Sequence, residues 1–84
     1  MENVYLVIRN WSCENSGTIN MQSIKVFADY KSAKKEFEEQ KKEIKNYNLG
    51  YDEIEDEKDY YCESVNGEYL YYHELVYIRE ERVN

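Results

Sequence analysis

The stretch DYKSAKKEFEEQKKEIKNY, residues 29–47, decides the fold. Its less polar side chains recur at spacings of three and four residues, which predicts an amphipathic helix over residues 30–47. Asp29 is a residue type suited to cap the first turn. The members of the stripe are Ala33, Phe37, Gln40 or Lys41, and Ile44.

Strand-like segments lie on both sides of this helix. Residues 4–11 and 23–28 are rich in β-branched and aromatic side chains and predict two strands, joined through turn formers at residues 15–17. After the helix, residues 59–65 and 75–83 predict two more strands. We expect a helix stop at Asn46, Asn48 and Gly50, and a hairpin turn at Asn66 and Gly67.

The order β-β-α-β-β predicts one α+β domain of 84 residues, a four-stranded antiparallel sheet with one helix packed on one face. We expect the first strand to be central, and the face away from the helix to be partly exposed and rich in tyrosine. Residues 66–74 fit either a return strand or a wider aromatic loop.

Charge is distributed unevenly along the chain. The formal net charge is −7, and residues 48–84 alone carry eleven acidic residues against Lys58, Arg79 and Arg82, a net of −8. Such a field repels nucleic acid and favours a basic partner surface. We therefore expect no direct nucleic-acid binding and a basic protein as the partner.

The acidic run YDEIEDEKDYYCE, residues 51–63, is the main candidate site. In an extended segment, alternate side chains share a face at about 7 Å spacing, so one row of negative charge is expected, comparable with the charge that DNA presents to basic grooves. The row would be Glu53, Glu55, Glu57 and Asp59, with Asp52 and Asp56 on the other side and Glu63 at the end of the run. The alternative is a solvated segment that only aids solubility.

Tyrosine supplies the second part of the candidate site. The chain has ten tyrosines, too many to bury in 84 residues, and tyrosine is favoured at interface hot spots. We expect Tyr61 and Tyr77 to pack against the helix. Tyr69, Tyr71 and Tyr72 are the predicted contact residues, either for the basic partner or for a homodimer.

Other kinds of site lack support in the sequence. The acidic run places Ile54 and Glu57 where a calcium loop needs a ligand and a glycine, no acid–base–nucleophile set emerges, and Cys13 and Cys62 have no zinc-like spacing. We expect no cofactor, no metal and no enzyme activity. Trp11 is interpreted as a lid on the core edge or as an exposed anchor.

Two kinds of segment that the sequence lacks bear on the cellular location. The apolar run of residues 4–8 is too short for the core of a secretory signal, and no apolar stretch approaches the ~20 residues of a membrane span. We therefore expect a cytoplasmic protein with reduced thiols, although a Cys13–Cys62 disulfide is the alternative.

The chain resembles small acidic proteins of phages and mobile elements of Gram-positive bacteria. The resemblance lies in VYLV at residues 4–7, in VF at 26–27 leading into AKKEF at 33–37, and in VYIREE at 76–81. In size and charge it is similar to anti-CRISPR inhibitors. The resemblance implies an inhibitor in the bacterial host that imitates DNA and binds the nucleic-acid groove of a CRISPR effector or other defence nuclease. The alternative is a non-enzymatic, homo-oligomeric accessory protein.

Overall fold

The computed structural model describes residues 2–14, 18–46, 53–66 and 71–83, and these form an α+β fold of five strands and one helix. The predicted turns at 15–17 and at Gly67, and the helix stop at residues 48–50, lie outside the described residues. The elements are β1 (Glu2–Glu14), β2 (Thr18–Phe27), α1 (Tyr30–Asn46), β3 (Glu53–Glu57), β4 (Tyr60–Asn66) and β5 (Tyr71–Val83).

The five strands form one antiparallel sheet in the order β2-β1-β5-β4-β3. The two 13-residue strands, β1 and β5, are adjacent and central, as the apolar composition of β1 predicts. β2 and β3 form the two edges, and α1 carries the chain from one edge to the other across a single face of the sheet. The prediction of four strands was wrong by one, because it did not include β3.

β3 was missed because its sequence, EIEDE, has poor strand propensity and only one apolar residue. It nevertheless pairs with β4 over all five positions, from Glu53 opposite Ser64 to Glu57 opposite Tyr60. The two-residue connection through Lys58 and Asp59 is short enough to enforce that pairing. All five side chains are exposed, which an edge strand with charged side chains tolerates.

The helix forms where the sequence predicts it. The side chain of Asp29 accepts a hydrogen bond from the backbone N–H of Ser32 at 2.8 Å, which satisfies one of the free donors of the first turn. The stripe on the sheet-facing side is buried, and Gln40 rather than Lys41 completes it. Its members are Ala33, Phe37, Gln40 and Ile44.

The core lies between this stripe and one side of the sheet. Val7 of β1, Val76 of β5 and Tyr61 of β4 are buried against Phe37 and its helical neighbours. Because side chains alternate along a strand, Ile8, Tyr77 and Tyr60 lie on the opposite side. We call the two sides of the sheet the helix side and the open side.

The helix covers only part of the helix side. A 17-residue helix is about 25 Å long, whereas 13-residue strands extend for about 43 Å. The chain is correspondingly elongated, with extents of 48 × 22 × 15 Å. In the part of the chain that the structure describes, no helix is both long and apolar enough to cross a membrane.

Candidate functional site

The acidic run does not present all its carboxylates in one direction. Asp56 lies opposite Tyr61 in the strand register and therefore on the helix side, where it accepts a hydrogen bond from Lys41 Nζ at 2.7 Å. That hydrogen bond lowers the pKa of Asp56 below its usual value. Asp56 is thus paired with α1 on the helix side and lies apart from the carboxylates of the open side.

Asp59 also faces α1, because it lies in the turn after β3 rather than in the strand. It accepts hydrogen bonds from the Tyr30 hydroxyl at 2.6 Å and from Lys34 Nζ at 3.2 Å. Partial burial by itself raises the pKa of Asp59, but these two donors hold that pKa below its usual value. The bond to Asp59 in turn raises the pKa of Tyr30 to about 12. The prediction that Asp59 extends the row was wrong.

The remaining row consists of Glu53, Glu55 and Glu57, all on the open side of β3. They are exposed, and among the described residues none of them forms an ion pair. Alternate residues of a strand are about 7 Å apart, so the three carboxylates span about 14 Å along the edge. This is the part of the predicted charge row that the fold preserves.

Two tyrosines lie beside this row on the same side of the sheet. Tyr60 is opposite Glu57 in β3 and opposite Tyr77 in β5, and the two tyrosine rings are 6.3 Å apart between centroids. Partial burial, with contributions from Cys62, Glu55 and Glu57, raises the pKa of Tyr60 to about 12, so its phenol is neutral near pH 7. We call this set the acidic–tyrosine surface. Its members are Glu53, Glu55, Glu57, Tyr60 and Tyr77.

Tyr77 was predicted to pack against the helix, and that prediction was wrong, whereas the prediction for Tyr61 is confirmed. The pairing of Tyr61 with Val76 places it on the helix side, and the register then sends Tyr77 to the open side. The sequence signal was present in the adjacency of Val76 and Tyr77, since neighbouring strand residues face opposite ways. The sequence does not show which side of the sheet the helix covers.

Two predicted contact residues are buried. Glu63 has 3% of its surface exposed and accepts a hydrogen bond from the Tyr61 hydroxyl. Tyr72 has 7% exposed, and its ring packs edge-on against Trp11 with centroids 5.8 Å apart. Neither residue therefore belongs to an exposed contact surface. Asp52 and Tyr69 lie outside the described residues, and Tyr71 is described only as part of the backbone of β5.

The burial of Glu63 creates a feature that the sequence analysis did not identify. Glu63 is directly opposite Glu74, which is 4% exposed, so two carboxylates meet on the helix side. Arg9 donates to Glu74 through Nη2 at 2.9 Å and to Glu43 through Nη1 at 2.5 Å. Burial alone lowers the pKa of Arg9, but the hydrogen bonds to Glu43 and Glu74 hold that pKa above its usual value. Arg9 thus compensates part of the buried negative charge.

A groove of about 550 Å³ adjoins this charged cluster on the part of the sheet that α1 leaves uncovered. Trp11 lines it and packs on Tyr72, so Trp11 is a wall of the groove and only partly buried. The groove carries one Arg–Glu pair and an aromatic corner. The residues that line it are Arg9, Trp11, Met21, Gln22, Ser23, Tyr72 and Glu74.

The cysteines and the acidic residues in the described part of the chain do not assemble a metal or disulfide site. Cys13 is opposite Tyr72 on the helix side, whereas Cys62 is opposite Leu75 on the open side, and both thiols are free. Burial raises the pKa of the Cys62 thiol. Within residues 2–14, 18–46, 53–66 and 71–83, no group of three or more His, Cys, Asp or Glu side chains is placed to hold a metal ion.

Comparison with known proteins adds no further assignment. No protein-family model, curated protein or solved structure matches the chain. Inferences about function therefore rest on the geometry of the acidic–tyrosine surface and of the two sheet edges.

Proposed function

We propose that this chain is a non-enzymatic binding protein whose acidic–tyrosine surface occupies a basic, nucleic-acid-binding groove of a partner protein. The observation that supports this most directly is the division of the acidic run by the sheet. Asp56 and Asp59 are matched by Lys41 and Lys34, while the three carboxylates on the open side of β3 have no such match among the described residues. Charge that the fold leaves uncompensated on one edge is available to a partner.

The spacing of the row favours a partner that binds a polyanion. Three carboxylates at about 7 Å intervals on a rigid strand present a regular line of negative charge to lysine and arginine side chains. Because β3 is hydrogen bonded to β4 along its whole length, this line is ordered before binding, and little conformational entropy is lost when the partner docks.

The neighbouring tyrosines supply apolar contact area beside the charges. Proteins that bind single strands use aromatic side chains and arginines to stack on bases, and a tyrosine ring offers the same kind of flat face to an arginine. Tyr60 and Tyr77 pack together and are partly buried, so they lose little side-chain freedom on binding. We infer that the two tyrosines lie against the part of the partner's groove where bases would stack.

The class of partner follows from the same surface together with the resemblance to small phage proteins. The groove of a CRISPR effector or another host defence nuclease is basic and accepts nucleic acid, so its charge is complementary to that of this surface. Binding there would exclude the nucleic acid and inhibit the complex. The expected activity is competitive with DNA or RNA.

The test is a pull-down from the lysate of a CRISPR-bearing host, followed by competition with duplex DNA. The tagged chain is expected to retain a nucleic-acid-binding protein at low salt and to release it when DNA is added or when salt is raised. Capture of a protein that DNA does not displace would contradict mimicry.

The matched variants separate this surface from total charge. The triple change Glu53→Gln, Glu55→Gln and Glu57→Gln is expected to weaken capture at least tenfold, which corresponds to about 1.4 kcal/mol. The control changes three exposed glutamates elsewhere, Glu38→Gln, Glu39→Gln and Glu80→Gln, and alters the net charge equally. Equal loss in both triple variants would show that the row has no particular role.

A further inference from the structure

The second edge of the sheet, β2, is a ten-residue strand that, within the residues the structure describes, pairs only with β1. Its outer edge therefore presents backbone N–H and C=O groups that are not matched by another strand in the described part of the chain. Every side chain from Asn20 to Val26 is exposed. Such an edge is complementary in hydrogen bonding to one kind of structure, another extended strand.

The side chains of β2 do not protect this edge. Its single charged residue, Lys25, is held by Glu36 of α1 at 3.1 Å. Met21, Ile24 and Val26 are 63%, 51% and 61% exposed. The opposite edge, β3, carries four carboxylates in five residues. One edge of the sheet is thus protected by charge against strand addition, and the other is open to it.

The distribution of charge favours a second copy of the chain as the occupant. A net charge of −7 opposes self-association in general, but the acidic row lies four strand spacings from β2, about 19 Å away. That distance is about twice the Debye length at physiological salt. Two copies that meet at β2 would place their acidic rows nine spacings apart, about 43 Å. β2 is therefore the edge at which repulsion between copies is weakest.

We propose that two copies pair antiparallel through β2 to form a continuous ten-stranded sheet. A two-fold axis perpendicular to the sheet makes the contact self-complementary and places both α1 helices on the same side. Residues of the helix side then adjoin residues of the helix side, so the partner strand extends the wall of the groove beside Met21 and Ser23. This inference does not depend on the proposed inhibitory function, because it concerns the chain without its partner.

Sedimentation velocity of the full chain alone, from low micromolar to several hundred micromolar, tests the proposal. We expect a concentration-dependent monomer–dimer equilibrium. Met21→Lys, on the helix side, and Ile24→Lys, on the open side, each place like charges across the contact and are expected to raise the dissociation constant at least tenfold, about 1.4 kcal/mol. Ile54→Lys makes the same change on β3, where the side chain is 59% exposed, and is expected to leave the equilibrium unchanged.

Four outcomes would overturn the proposal. A chain that stays monomeric over the whole range has no such contact. A dimer that Ile24→Lys weakens and Met21→Lys does not is formed by packing of the open sides, and a dimer unaffected by both lies elsewhere. Hydrogen exchange of the unmodified protein gives a readout without substitution, because the outer amides of β2 should become protected as concentration rises. Protection that does not change with concentration would contradict strand pairing.

Discussion

At the scale of single residues, two buried glutamates each accept a hydrogen bond from the tyrosine two positions earlier in the chain. The Tyr61 hydroxyl donates to Glu63, and the Tyr72 hydroxyl donates to Glu74 at 3.4 Å. Residues two apart on a strand share a side, so the repeated Tyr-x-Glu pattern brings each donor to its acceptor without help from another element. Buried carboxylates need such donors, because a charged group removed from water and left unpaired is costly.

Removal of the first of these donors gives a stability prediction. Tyr61→Phe keeps the buried ring but deletes the hydrogen bond to Glu63, which leaves a buried carboxylate with less compensation. We expect a loss of about 1–3 kcal/mol in the free energy of unfolding, measured by urea denaturation. Tyr77→Phe on the open side is the control and should change it by less than about 0.5 kcal/mol. Equal effects would mean that the Tyr61–Glu63 bond contributes nothing specific.

A second prediction concerns pH and the Asp59 carboxylate. The folded state holds the pKa of Asp59 below its usual value, so its interactions stabilise the fold above the unfolded pKa of about 3.9 and are lost as pH falls through the folded pKa. Asp59→Asn should therefore be less stable than the unmodified protein at pH 6. The difference should shrink steadily below about pH 4. Urea unfolding at several pH values measures it, and a difference that stays constant down to pH 2 would contradict the assignment.

At the scale of elements, α1 does more than cover the core. Its lysines Lys34 and Lys41 reach Asp59 and Asp56 at the acidic edge, while Glu36 reaches Lys25 at the other edge. The helix thus binds both edges of the sheet by ion pairs. Exposed pairs of this kind stabilise little individually, but here they decide which carboxylates of the acidic run remain uncompensated.

The start of α1 gives the prediction at this scale. Asp29→Ala removes the side chain that accepts from the Ser32 N–H and hydroxyl, so the first turn loses its cap. We expect a loss of about 1 kcal/mol in the free energy of unfolding, within the range of 0.5–2 found for such caps. Lys31→Ala, one residue inside the helix and exposed, is the control and should have an effect near zero. An uncapped helix that is as stable as before would show that packing alone fixes its start.

At the scale of the whole molecule, the sheet separates the chain's chemistry by side and by edge. The buried acids, Arg9 and the groove lie on the helix side, and the carboxylate row with its tyrosines lies on the open side. The acidic edge strand, β3, and the edge strand with a single lysine, β2, are at opposite ends of the strand order. We propose two distinct surfaces for association in this small protein, one for a basic partner and one for its own copy.

The separation of sides also determines what the two cysteines do under oxidation. Cys13 and Cys62 project from opposite sides of a hydrogen-bonded sheet, so their side chains cannot meet in the folded state. We expect no intramolecular disulfide when the native protein is treated with a mild oxidant, measured by alkylation and intact mass. The same treatment in denaturant should permit the bond. An intramolecular disulfide formed under native conditions would contradict the strand register.

The sequence by itself determined the features that depend on local pattern. The spacing of Ala33, Phe37 and Ile44 identifies the helix and its buried stripe, Asp29 marks its start, and the apolar run after Val4 identifies a central strand. Charge composition also follows from the sequence, because it needs no fold. Three of the four members of the predicted row, Glu53, Glu55 and Glu57, share one side of β3, since alternation within one strand is a local property.

Only the tertiary structure decided which side of the sheet each strand residue occupies. Glu63 and Glu55 belong to the same acidic run, yet Glu63 is buried and Glu55 is exposed. The register of β4 against β5 places Glu63 on the same side of the sheet as Val76, which is the helix side. The existence of β3 was likewise decided by pairing with β4, whose backbone hydrogen bonds outweigh a poor strand propensity. Long-range pairing thus converted a run of similar charges into a buried acid, two ion pairs and an open row.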